Sequence, residues 1–296
     1  MRLAFCGTPR AAVPTLEALV AAGHEVALVV TRPDKRRARG GSLEPSAVKR
    51  AALEHGLAVT SRLADVLDAG VERGVVVAYG ALVPAAVLAA VPMLNVHFSL
   101  LPRWRGAAPV ERAILAGDSV TGVSVITLEE TLDTGPVHAR AEVEVDEKDA
   151  LTLTDELAVL GARLLVEVLD DPAALAHARP QTGEATYAKK LATAERALDP
   201  STAALYAARV VRLGGAHLVC AGQRVIVERA ARSERRLEAG TVALVEGRVV
   251  VGFADGALEL DEVRPAGRGS MAASAWWRGR RAQAALTWSS GAGDPL

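Results

Sequence analysis

A carboxamide, an imidazole and a carboxylate stand at Asn95, His97 and Asp133, where one polar pocket could collect them. The first two belong to Asn95-Val96-His97-Phe98-Ser99-Leu100-Leu101-Pro102-Arg103-Trp104-Arg105-Gly106, the third to Leu132-Asp133-Thr134-Gly135. Asn95 supplies amide N–H donors, His97 a ring that can donate a proton, and Asp133 a charge that would orient that ring. These are the parts of a site that stabilises negative charge and manages protons. Taken singly, each has a plain structural reading: Asn95 satisfies a turn, His97 is an ordinary half-buried histidine, and Asp133 is a turn residue ahead of Thr134-Gly135. Their joint spacing is what argues for a reaction site.

The lead-in Val91-Pro92-Met93-Leu94 is apolar, so Asn95 and His97 are expected at the end of a strand, where residues two apart face one side. Residues 99–106 then turn the chain away. Strands are predicted at residues 3–6, 26–31, 57–60, 74–78 and 93–97, alternating with helices at 11–22 and 45–55 and further helix-like stretches. That alternation predicts a parallel sheet covered by helices, with ligands at the carboxyl ends of the strands. Residues 122–128 and 137–145 read as later strands, and 151–169 as a long amphipathic helix. Residues 170–200 carry Asp-Asp-Pro, Arg-Pro and Asp-Pro breaks and read as a linker. Beyond them a helix at 201–213 precedes short strands at 217–220, 223–229, 240–246, 248–253 and 257–263, the pattern of a small β-barrel. The Gly- and Ser-rich tail, 289–296, is expected to fray.

At 296 residues the chain is long enough for two cores, and its net charge of −1 gives no whole-chain pull toward nucleic acid or membrane. A charged partner must therefore be met by a local patch. Aromatics are only 3%, so Ala, Val and Leu must fill the interior. Cys6 and Cys220 lack C-x-x-C spacing and read as small buried hydrophobes rather than a zinc site or disulfide. The five histidines besides His97 are scattered without an H-x-x-x-H pair, and no metal is assigned. Gly7-Thr8-Pro9 lacks the G-x-G-x-x-G spacing of a nicotinamide site. The N-terminus turns to strand too soon for a signal peptide, and no segment approaches about 20 apolar residues, so a cytoplasmic protein is expected.

Several blocks together resemble the methionyl-tRNA formyltransferases, a branch of the folate-dependent formyltransferase family. They include Phe5-Cys6-Gly7-Thr8-Pro9, Arg32-Pro33-Asp34, Pro45-Ser46-Ala47-Val48-Lys49, Val77-Ala78-Tyr79-Gly80 and Thr186-Tyr187-Ala188-Lys189-Lys190. The Asn-x-His-x-Ser-Leu-Leu-Pro and Leu-Asp-x-Gly blocks are the most specific. The resemblance implies an α/β fold: a Rossmann-like parallel-sheet catalytic domain over residues 1–180, a linker over 181–200, and an OB-like β-barrel domain over 201–290 that binds tRNA. It implies formyl transfer from 10-formyltetrahydrofolate to the α-amine of methionyl initiator tRNA, through a tetrahedral oxyanion and without a covalent enzyme intermediate. Asn95, His97 and Asp133 become the catalytic residues, and Ser99, Leu100, Leu101 and Pro102 the folate-binding ones. No metal is implied, and a monomer is expected.

The acceptor is argued from charge. Residues 32–41 hold five basic side chains against one acid, and the family engages the tRNA end with a loop at this position. Lys35, Arg36, Arg37 and Arg39 are the expected contacts, with Lys189 and Lys190 adding charge at the domain junction. A second patch runs from Arg264 to Arg281; within it Trp276 and Trp277 read as helix-packing residues rather than base-stacking ones. The family pattern has Pro-Ala-Gly-Arg-Gly where this chain has Arg36-Arg37-Ala38-Arg39-Gly40, and a Trp-Pro segment near residues 212–216. A sugar-nucleotide formyltransferase, a formyltetrahydrofolate hydrolase and a non-catalytic tRNA-binding protein are the alternatives. The basic loop and the barrel argue against the first two. All three polar residues being present argues against the last.

Overall fold

The computed structural model describes residues 1–36, 42–280 and 285–291. Two units divide the chain: Met1–Val110, Ser119–Asp146 and Thr152–Lys189 form the first, and Glu111–Asp118, Glu147–Leu151 and Lys190–Leu296 the second.

In the first unit the apolar runs become strands. β1 (Arg2–Gly7) is followed by α1 (Val13–Ala21), β2 (Glu25–Val30), the short hairpin strands β3 (Lys35–Arg36) and β4 (Leu43–Glu44), α2 (Ala47–Glu54) and β5 (Val59–Thr60). Then come β6 (Arg73–Val77), α3 (Ala85–Ala90), β7 (Met93–His97), β8 (Arg105–Gly106), α4 (Pro109–Ala116, counted with the second unit from Glu111 on), β9 (Val120–Thr127), β10 (Val137–Glu144), α5 (Ala150–Asp170, counted with the first unit from Thr152 on), α6 (Pro172–Ala176) and β11 (Tyr187–Ala188). One sheet runs β10-β9-β7-β6-β1-β2-β5. Its members from β7 to β5 are parallel, and β9 and β10 add antiparallel pairings at one edge. β1 and β7 are buried along nearly their whole length, as parallel strands covered on both faces must be, whereas β10 keeps the in–out alternation of an edge. The chain adds strands to one side of β1 and then, from β6, to the other, which makes the carboxyl ends around β1 and β6 a natural crevice.

The long helix α5 settles where β7 lies. Its buried Leu153, Leu157, Gly161, Leu164, Leu165 and Val168 recur at helical spacing. A Cβ at Gly161 would stand 2.6 Å from Val96 Cγ1, so the absent side chain lets the helix press on the strand that carries Asn95 and His97.

The second unit is a closed antiparallel barrel. Helix α7 (Ala204–Arg212) precedes β12 (Ala216–Cys220), β13 (Gln223–Ser233), β14 (Thr241–Val245), β15 (Arg248–Gly252), β16 (Ala257–Pro265), β17 (Met271–Ala272), α8 (Ala273–Gly279) and β18 (Leu286–Ser289). The order β13-β12-β18-β14-β15-β16 is closed by pairing of β13 with β16. β18 supplies the staves between β12 and β14, so Ser289, expected to fray, is the end of a barrel strand. Trp276 and Trp277 are buried and meet edge to face, in keeping with helix packing.

The stretch expected to be a linker carries short elements, α6 and β11, the latter paired in parallel with β8. Proline punctuation there marks short elements rather than their absence. No helix among the described residues is long and apolar enough to cross a membrane.

Two histidines make stability depend on pH. His24, beside the N-terminal ammonium, and His217, near Arg224, are both buried, and burial first, positive neighbours second, hold them below the ordinary histidine range. The unfolded chain then takes up protons near pH ~6.5 that the folded chain resists, so their stabilisation is present above that pH and lost as pH falls through it. Thermal melts from pH 7.5 to about 5 are expected to show Tm falling at the acid end. The His24→Gln, His217→Gln double variant should flatten that fall, and an equally steep fall in the variant would refute the assignment.

Candidate active site

Asn95 and His97 close β7, aligned with Val76 of β6, Ile126 and Ser124 of β9. Strand pairing on both sides fixes their backbone, and the two-residue period turns both side chains to one side. Both are buried, as is Asp133, which arrives from the loop between β9 and β10. Asp133 Oδ1 accepts from Asn95 Nδ2 at 3.4 Å, and Oδ2 accepts the Gly106 N–H at 2.8 Å. His97 Nδ1 lies 3.6 Å from the same Oδ2, beyond hydrogen-bonding distance. A carboxylate only 5% exposed needs such partners, because an unpaired buried charge is costly.

His97 Nε2 lies 2.9 Å from the Trp104 carbonyl oxygen. A carbonyl can only accept, so Nε2 carries the proton and gives it to the protein. In this arrangement both ring nitrogens face protein groups, the Trp104 carbonyl on one side and Asp133 on the other. Asn95 has two amide N–H groups and spends one on Asp133, which leaves the other for a substrate oxygen.

These groups open on a cavity of about 510 Å³, walled by the ends of β6 and β7 and by the 128–133 loop. Val83, Leu128 and Leu132 give it apolar walls, and Glu129 and Glu130 add charge. Backbone strain gathers here. Of six non-glycine residues with positive φ among those described, Ala78 (45°) and Asp133 (53°) line the cavity and Trp104 (62°) presents the carbonyl to His97. Left-handed backbone at such residues costs about 1–3 kcal/mol each, and persists only where surrounding structure enforces it.

Ser99, Leu100, Leu101 and Pro102 do not line this cavity. Ser99 and Leu101 are fully buried, Ser124 Oγ bonds both to the Ser99 carbonyl and to the Leu101 N–H, and Ser99 Oγ donates to the Arg103 carbonyl. Leu101-Pro102 is a cis peptide. These four build the turn behind the strand end; of the walls, Ala78 to Gly80 and Leu132 lie in blocks the sequence marks, while Ala81 to Val83, Glu129 and Glu130 carried no such signal.

Lys35 and Arg36 lie exposed on β3, with Lys35 opposite Glu44. Lys35 also lines a second cleft of about 380 Å³ with Arg10, Arg32 and Arg50. Thr8 and Arg32 from that cleft hydrogen-bond the Tyr79 and Gly80 carbonyls, which belong to the wall of the first cavity. Arg37 and Arg39 lie outside the described residues. Lys189 and Lys190 are exposed just after β11. In the patch beginning at Arg264, Arg264 pairs with Glu228 and Arg280 is spent on the Cys220 carbonyl, Gln223 and the face of Trp276. Among the described residues no cluster of three or more His, Cys, Asp or Glu could hold a metal ion.

Residues 1–169 match the family model described as formyl transferase, and 188–281 that of the formyl transferase C-terminal domain. A methionyl-tRNA formyltransferase of Clavibacter sepedonicus is 45% identical over 94% of this chain and 97% of its own. One from Rhizorhabdus wittichii is 44% identical over 94% and 95%. Among solved structures, HypX of Aquifex aeolicus in complex with tetrahydrofolic acid shares the fold at TM-score 0.67 and 17% identity, covering 100% of this chain and 48% of that one. With both domains matched in order and relatives of this identity aligned end to end, the chain belongs to the methionyl-tRNA formyltransferase family.

Proposed function

We propose that this protein transfers the formyl group of 10-formyltetrahydrofolate to the α-amino group of methionyl initiator tRNA. The observation that carries the reading is the buried Asn95–His97–Asp133 cluster at the end of β7, opening on an apolar-walled cavity. A cavity of this size with few convergent polar groups suits a flat, partly aromatic molecule such as a reduced pterin. Val83, Leu128 and Leu132 would hold it. The bound folate supplies an activated formyl carbon and a nitrogen that can leave. That the fold relative HypX carries tetrahydrofolic acid supports the same assignment.

The amine of the methionyl ester attacks the formyl carbon, the carbonyl oxygen takes up charge, and the C–N bond to the folate breaks as the new C–N bond is kept. The free N–H of Asn95 meets the developing oxyanion. Asp133 faces the Asn95 amide and the His97 ring, so it sets both and stands ready to receive, through a water, the proton the amine gives up, and to return it to the departing folate nitrogen, which leaves as N–H. Ser99, Leu100, Leu101 and Pro102 serve the folate site through the turn that shapes the strand end.

In this reading residues 1–180 are the catalytic domain, 181–200 the connection, and 201–290 the tRNA-holding barrel of a cytoplasmic monomer. Lys35, Arg36, Arg37, Arg39, Lys189 and Lys190 meet tRNA phosphates. With about four to six such contacts, affinity for tRNA is expected to fall roughly 10²–10³-fold between about 50 and 200 mM salt. Filter binding across that range checks it, and a flat salt response would remove the phosphate contacts. The activity itself is tested with purified protein, 10-formyltetrahydrofolate and charged initiator tRNA, against uncharged tRNA, charged elongator tRNA and a sugar amine. Formylmethionyl-tRNA is the expected product. Its absence, or equal turnover of the sugar amine, would overturn the reading.

A further inference from the structure

Gln181 lies between the two family matches, which end at 169 and resume at 188. Its amide is fully occupied. Nε2 donates to the Asp133 carbonyl at 2.8 Å and to the Gly135 carbonyl at 2.9 Å. Oε1 accepts from Arg105 Nε at 3.1 Å and Nη2 at 2.6 Å. Two carbonyls require an NH₂ and a guanidinium requires an oxygen, so the network allows one orientation of the amide.

Both segments tied by this amide bear on one carboxylate. Asp133 sits at φ 53°, a backbone state it does not favour by itself, and its carbonyl is held by Gln181. Gly106, which follows Arg105, donates its N–H to Asp133 Oδ2. The segment around Gln181 is itself anchored. Arg179 bridges Val137, Thr186 Oγ1 accepts the Trp104 N–H at 2.9 Å, and β11 pairs with β8. The strap thus joins the Asp133 loop, the Gly106 donor and the Trp104 carbonyl that receives His97.

We infer that Gln181 is a positioning residue for formyl transfer, acting through Asp133 by fixing the backbone from which the carboxylate meets Asn95, His97 and Gly106. The inference rests on the reading of Asp133 as catalytic. No other side chain of this size does the same work. Glutamate would turn an oxygen toward two carbonyl oxygens, and leucine would leave those carbonyls and the Arg105 guanidinium without this partner.

The test is a double-mutant cycle with separate kcat and KM. Gln181→Leu is expected to lower kcat about 10–100-fold, the scale on which outer-shell groups act, while KM for either substrate moves less than about threefold. In an Asp133→Ala background the same substitution is expected to change the residual rate less than about twofold, because the group it positions is gone. An equal loss in both backgrounds, or normal kcat in Gln181→Leu, overturns the positioning role. Gln181→Met, which keeps the stem's packing, repeats the cycle should Gln181→Leu melt early; the same coupling is expected, and its absence overturns the role. Wild-type turnover of Asp133→Ala would remove the catalytic reading underneath. That outcome is distinct from normal turnover of Gln181→Leu beside a crippled Asp133→Ala, which ends the positioning role alone.

Discussion

Asp133→Ala is expected to lower kcat by about 10²–10³ with the fold intact, the scale for losing a group that sets transition-state hydrogen bonds. The carboxylate lies 3.4 Å from Asn95 Nδ2, 2.8 Å from the Gly106 nitrogen and 3.6 Å from His97 Nδ1. Its removal frees the amide to rotate, leaves the imidazole held only at Nε2 by the Trp104 carbonyl, and deletes the carboxylate proposed to take the amine's proton. Asn95→Ala and His97→Ala are expected to fall in the same range, the first through loss of the oxyanion donor itself. With the three proposed to act as one unit, the triple variant is expected to be little worse than the worst single one. Single-turnover rates at saturating folate and tRNA separate this loss from weaker binding. Near-normal rates in all three folded single variants would sink the mechanism, and additive losses would break the unit apart.

What was legible beforehand follows from the range of the interactions. The end of β7 could be read because an apolar lead-in and a two-residue period are local signals, and Asn95 and His97 do share a side. Ser99, Leu100, Leu101 and Pro102 were marked by the same motif, but whether a turn faces a cavity or the core depends on Ser124, 25 residues from Ser99. The structure places Ser99 and Leu101 in the interior and leaves Leu100 and Pro102 half-buried on the turn, and their folate-binding role remains a proposal. The direction of His97 depends on Trp104, which presents its carbonyl from a φ of 62° that no residue preference announces. Gln181 reaches Asp133 across 48 residues from a stretch with only proline breaks to read. In the second unit five strands were visible as apolar runs. The closing strand β18 is four residues, Leu-Thr-Trp-Ser, with its burial concentrated in Trp288.

Gly135→Ala is the substitution expected to do most damage for one carbon. Gly135 has no positive φ, so alanine's own backbone preferences are satisfied there. Space is the constraint: an ideal Cβ would overlap the Thr127 carbonyl oxygen and stand 2.9 Å from the carbon that bears it. Thr127 is the last residue of β9, and its N–H is held by the Pro136 carbonyl at 3.0 Å, so neither wall is a side chain that can swing aside. The loop must move instead, and it carries Asp133 two residues away together with the Gly135 carbonyl that Gln181 holds. Overpacking of this kind costs about 1–3 kcal/mol of stability, while a shift near 1 Å at a catalytic group costs about 10² in rate. Stability and turnover are therefore expected to fall together, with kcat down about 10² at a temperature where the variant is fully folded. Gly269→Ala, where a Cβ meets nothing within 4 Å, is the matched control and is expected to alter neither. A folded Gly135→Ala enzyme with wild-type kcat would mean that the carboxylate tolerates displacement, and the tight coupling of this loop to β9 would then serve only the fold.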